Sequence, residues 1–176
     1  MEQTTRKPIG VGLTILGALA RLVPHAPNFT PAGGLSLFAG GRLRGWEAYL
    51  LPLALMAATD PLVGGYSFAT PFVYASLMVN VWIGSRWLRG GANALRIGGA
   101  AAAGSLQFFL ISNFAVWLRF PTTYTHTFSG LAACYAAAIP FYGRTLAADL
   151  AYSGALFGLY ALLSRRAGGT IPAEVS

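Results

Sequence analysis

Seven apolar runs, each closed by arginine, glycine or proline, fill almost the whole chain: Ile9 to Val23, Ala32 to Gly41, Trp46 to Val63, Pro71 to Leu88, Ile97 to Leu118, Phe128 to Tyr142 and Leu146 to Leu163. Only 10% of the 176 residues are charged, against about 25% in an ordinary soluble domain. Too few charges are present to cover a water-facing surface, so much of that surface must meet lipid. At about 20 residues per spanning helix, the length allows roughly six spans. The implied architecture is all-α: a polytopic membrane helix bundle of six transmembrane helices, with seven possible. It forms one integral domain over 1–166, followed by a disordered tail over 167–176.

Charge decides between the two counts. The chain carries twelve Lys and Arg against five Asp and Glu, a net +7. In a soluble protein this excess would point to nucleic acid. Here the basic residues sit between apolar runs, so orientation in an anionic membrane accounts for them and no nucleic-acid partner is expected. With six spans, and Phe128 to Tyr142 as a re-entrant or interfacial helix on the outer side, nine basic residues face the cytoplasm and three face outward. Seven spans give eight against four. The positive-inside rule prefers six, with both termini cytoplasmic in a cell (inner) membrane. Arg6 and Lys7 followed by an apolar run resemble a signal peptide, but no small-x-small cleavage site follows, so the run is read as a retained first span.

Small residues repeat on several helix faces: Gly10, Thr14 and Ala18; Gly98 to Ser105; Ala151, Gly154, Ala155 and Gly158. Such faces let helices approach closely in lipid. They serve internal packing, or they dock an energising or other membrane protein partner.

The polar residues gather at the predicted outer ends of the helices. Asn28 lies in a proline-rich first loop, Asp60 before the second, and Asn113, Trp117, Arg119, Tyr124 and His126 around the third. The expectation is an outward-opening pocket contacted by these seven. The basic side chains suit an anionic or metal-linked ligand, and the aromatics suit a flat ring. Two ladders step by four residues and place polar and aromatic groups on one helix face: Phe72, Ser76, Asn80 and Gly84, then Ser105, Phe109, Asn113 and Trp117. Gln107 lies off the second ladder. Interhelical hydrogen bonding by Asn80 and Asn113 is the competing role. Structural ion pairs or snorkelling are the competing role for Arg21, Asp60, Arg119 and Asp149.

Nothing in the chain reads as a catalytic motif. H-E-x-x-H, G-x-S-x-G and Walker A patterns are missing, His25 and His126 match no metal-site spacing, and Cys134 sits among alanines as a small core residue. No enzyme activity, catalytic residue or metal ligand is expected, and the sequence leaves any cofactor unknown.

Three segments carry a resemblance. Arg21-Leu22-Val23-Pro24-His25-Ala26-Pro27-Asn28-Phe29-Thr30-Pro31, Ser112-Asn113-Phe114-Ala115-Val116-Trp117 and the stretch from Gly130 to Phe141 resemble the blocks of a bacterial family of multi-pass membrane transport proteins with no settled activity. That architecture is similar to the S-components of energy-coupling-factor transporters, which are small six-span proteins that bind a vitamin or metal under outer loops and borrow ATPases from elsewhere. The resemblance implies a substrate-binding protein for uptake of a small molecule, vitamin-like or metal-linked. The alternative is a structural or accessory subunit of a larger membrane complex.

Overall fold

A computed structural model describes residues 2–168, with side chains from 7 to 167. Six α-helices follow one another: α1 (Glu2–Leu19), extended by a 3-10 turn over Ala20–Leu22, α2 (Ala32–Arg42), α3 (Glu47–Val63), α4 (Thr70–Trp87), α5 (Ala94–Arg119) and α6 (Phe128–Gly168). The described residues contain no strand. Helices α2 to α5 begin and end close to the apolar runs, because the Gly, Pro and Arg that punctuate those runs also stop helices, whereas α1 starts seven residues before its run and carries Pro8 inside it. Asn93 caps α5, its side chain accepting from the Arg96 N–H at 2.8 Å.

The sixth helix departs from expectation. Phe128 to Tyr142 is not a separate re-entrant or interfacial helix; it runs without a break into the last apolar run, giving one helix of 41 residues, about 60 Å long. Pro140 lies inside it. A proline removes one ladder hydrogen bond and crowds the turn before it. Here its ring is exposed while the neighbouring turns, at Cys134, Tyr135 and Tyr142, hold on to α5, so the helix carries through. Of the expected disordered tail, Ala167 and Gly168 still belong to α6, and 169–176 lie outside the described residues. By length and composition, two helices among the described residues, α5 and α6, are long and apolar enough to cross a membrane.

The helix at the centre is α2. From Ala32 to Gly41 every residue is buried, and the other five helices surround it. Its sequence, Ala-Gly-Gly-Leu-Ser-Leu-Phe-Ala-Gly-Gly, explains how five neighbours fit around 11 residues. The glycine faces let backbones touch, while Leu35, Leu37 and Phe38 fill the spaces between them. A Cβ on Gly40 would run into the carbonyl of Val81, and one on Gly84 into that of Leu37, so α2 and α4 meet main chain to main chain. Phe38 packs edge-on against Phe157 and Tyr160 of α6, with ring centroids 5.2 and 5.9 Å away.

These contacts fix the helix directions. Gly10 faces Leu43 and Gly17 faces Leu35, so α1 runs against α2. Gly33 meets Asp149 and Gly41 meets Phe157, so α6 runs with it. Lys7, near the start of α1, and Tyr160, near the end of α6, therefore lie at the same end of the bundle, together with Arg42, Arg44 and Arg89. At the other end, α5 and α6 continue as an antiparallel hairpin. Beyond Gln107, the side-chain bonds and ring contacts that α5 makes outside its own helix go to the α6 arm or to the loop joining them.

Candidate functional site

The seven expected contacts fall into three places. Asn28 is exposed in the first loop at φ 63°, a left-handed conformation that asparagine tolerates better than most residues. Asp60 is buried at the top of α3 and its carboxylate is fully engaged. Arg21 donates to Oδ1 at 2.8 Å and the Tyr74 hydroxyl donates to Oδ2 at 2.6 Å, while Arg21 also donates to the Thr59 hydroxyl at 2.7 Å. This is an ion pair that ties the 3-10 turn to α3 and α4. Breaking such a pair leaves a buried charge uncompensated.

The other five lie on the α5–α6 hairpin. Trp117 Nε1 donates to the Thr125 carbonyl at 3.0 Å. His126 Nε2 lies 3.2 Å from the Trp117 carbonyl, and the two rings stand 4.8 Å apart. Together they close the loop onto the end of α5. Arg119 lies 5.6 Å from the Phe120 ring, and Tyr124 sits in the same turn, its N–H donating to the Phe120 carbonyl at 2.9 Å. One turn below, Asn113 spends its amide on the Phe109 carbonyl of its own helix at 2.8 Å. The first and third loops are far apart. Tyr152 meets Phe29 in the first loop, while Phe128 opens α6 at the third, which puts them about 35 Å apart along that helix.

The interior holds a different polar set. Asp149 is buried between α2, α5 and α6. Its carboxylate accepts from the Ser105 hydroxyl at 2.6 Å and from the Gly34 N–H. Pro31, at the N-cap of α2, offers no side-chain cap, so a carboxylate from another helix takes that role at the positive end of the helix dipole. Gly33 makes this possible, since a Cβ there would collide with the Asp149 carboxylate. At the other end of α2, Arg42 and Arg89 donate to the carbonyls of Gly40, Gly41 and Leu43. The central helix is thus held by an acid at its start and bases at its finish.

Between α4 and α5 lies an amide pair. Gln107 Nε2 donates to the Ser76 carbonyl and to Asn80 Oδ1, both at 2.9 Å. Gly104 leaves the room that Asn80 needs. One amide atom of each residue, Asn80 Nδ2 and Gln107 Oε1, is buried without a hydrogen-bond partner among the described residues. A buried polar atom without a partner costs about 1–3 kcal/mol, so this donor and this acceptor each call for a complementary group. The first ladder therefore faces inward through Ser76, Asn80 and Gly84, but its partner is Gln107, which lies off the second ladder. The only hint of that in the sequence was an amide in the middle of an apolar helix, which needs a partner somewhere.

Of the small-residue faces, Gly10, Thr14 and Ala18 pack inside against α2 and its neighbours, as do Ala100, Ala101 and Gly104. Ala151, Gly154, Ala155 and Gly158 stay exposed on α6. Cys134 is buried, its thiol 3.5 Å from the Asn113 carbonyl. Among the described residues no group of three His, Cys, Asp or Glu could hold a metal ion. No curated protein and no solved structure matches the chain. A family model does match, over residues 1–173, and the chain belongs to that family, DUF6580, a family of unknown function.

Proposed function

We propose that this chain is an integral membrane substrate-binding protein for uptake of a small molecule, similar in size and helix number to the S-components of energy-coupling-factor transporters. The bundle spans the bilayer with the 11-residue α2, about 16 Å long, enclosed by the longer helices; both termini lie in the cytoplasm, and an energising partner supplies the driving force. The observation that carries this reading is the amide pair: Asn80 Nδ2, a donor, and Gln107 Oε1, an acceptor, are buried without a partner among the described residues, which suits a ligand edge that offers a carbonyl and an N–H. Such an edge is common in flat heterocycles, so a vitamin-like ligand is favoured over a metal-linked one, for which amides are poor donors. Helix number, the shared end for Lys7 and Tyr160, and the basic residues gathered there support the orientation.

The test is native mass spectrometry on protein extracted gently from its own membrane. A bound small molecule of defined mass is expected, and its occupancy should fall at least about tenfold in Asn80→Ala combined with Gln107→Ala, the loss of two hydrogen bonds to a ligand, while the circular dichroism of the double variant still reports the wild-type helix content. An empty wild-type protein, or full occupancy in the double variant, would sink the reading.

A second reading, an accessory subunit of a membrane complex, draws on the exposed Ala151, Gly154, Ala155 and Gly158 face of α6. Stoichiometric membrane proteins without ATPases among them, and no small molecule, would favour it.

A further inference from the structure

The basic end of the bundle holds a cavity of about 650 Å³ that the uptake reading does not use. It is lined by four basic side chains, Lys7, Arg42, Arg44 and Arg89, and by one acid, Glu47. Glu47 is already bonded to Lys7 at 2.8 Å. Arg42 lies against the rings of Phe157 and Tyr160, 4.8 and 4.9 Å from their centroids, which fixes its guanidinium beneath the cavity. Arg89 gives Nη2 to the carbonyls of Gly40 and Leu43, leaving the N–H groups on Nε and Nη1 for another acceptor. Arg44 is exposed and makes no hydrogen bond or ion pair among the described residues. The carbonyl end of α2 would repel an anion, but Arg42 and Arg89 cover those carbonyls and turn positive charge outward.

We propose that this cavity is a phosphate-binding site, gripped by Arg44 and by the free side of Arg89. Guanidinium forks match phosphate oxygens in pairs, which single ammonium groups do not. The volume exceeds that of one phosphate ion and accommodates a larger phosphorylated group. Trp46, 70% exposed at the rim, is the kind of residue that sits at headgroup level in a membrane. The same chemistry recognises an anionic phospholipid headgroup and a soluble phosphate compound.

The experiment adds phosphatidylglycerol, phosphatidylcholine or inorganic pyrophosphate to the delipidated full chain in a non-ionic detergent and counts bound copies by native mass spectrometry. One copy of phosphatidylglycerol held in preference to phosphatidylcholine, and not displaced by pyrophosphate, identifies a lipid site. Pyrophosphate that binds and displaces the lipid identifies a site for a soluble phosphate compound. In either case Arg44→Glu should weaken the bound probe about tenfold or more, Arg44→Lys should recover part of the loss, and Arg165→Glu, at the same end but outside the cavity, should change it less than about twofold. Retention of neither probe by the wild-type chain, or equal losses in Arg44→Glu and Arg165→Glu, would overturn the proposal.

Discussion

Asp149 shows why a charged residue in an apolar helix need not face water. Its carboxylate lies over the first turn of α2, where the Gly34 N–H and the Ser105 hydroxyl satisfy it and the helix dipole favours its charge. Removing the space should be as damaging as removing the acid. Gly33→Ala puts a methyl group into the carboxylate and is expected to destabilise the chain by about 2–3 kcal/mol, the upper range for overpacking a tight site. Chemical denaturation in detergent measures it, and stability equal to wild type would mean that Asp149 does not cap α2. From the sequence, Asp149 was legible as a costly charge but not as a cap, because its partners, Gly34 and Ser105, lie 115 and 44 positions away. The sequence offers Asp60 both as a ligand contact and as a member of a structural pair. In the structure Arg21 and Tyr74 each donate to one of its oxygens.

Among the helices, contact distance separates glycines that look alike in the sequence. Gly84 stands against the Leu37 backbone, whereas Gly158 has no atom within 4 Å of an added Cβ. Gly84→Ala should push α4 away from α2 and lower stability by about 2 kcal/mol or more. Gly158→Ala should be neutral or slightly stabilising, because alanine favours helix by up to about 1 kcal/mol. Thermal melts of the two variants check this, and equal losses would contradict the packing of α2 against α4. Helix boundaries were legible because arginine, glycine and proline both end apolar runs and stop helices. Two features were not. The continuity of α6 was hidden by Pro140, which by itself argues for a break and is overruled by the pairing with α5. The central place of α2 was hidden because ten small and apolar residues announce a short helix without saying how many neighbours surround it. The amide pair was half legible: Asn80 stood out on its ladder, but its partnership with Gln107 depends on how α4 and α5 are turned toward each other.

At the scale of the whole molecule, the bundle is proposed to lie in a bilayer with its basic end in the cytoplasm. The helices alternate in direction, so the turns at Gly45 and Gly91 share one end with Lys7, and the loops at Pro27, Tyr66 and Tyr124 belong to the other. Low charge content and the gathering of arginines were enough to expect this orientation. The length of the α5–α6 hairpin beyond the other helices was not foreseeable, since it follows from α6 being one helix. The most direct measurement places single cysteines at Gly45, Gly91, Tyr66 and Tyr124 in a Cys134→Ala background and labels them with a membrane-impermeant maleimide, in intact cells and in inverted vesicles. Labelling of positions 66 and 124 only in cells, and of 45 and 91 only in vesicles, is the predicted result. Labelling of positions 45 and 124 from the same side, or release of the protein from membranes by alkaline carbonate, would contradict it.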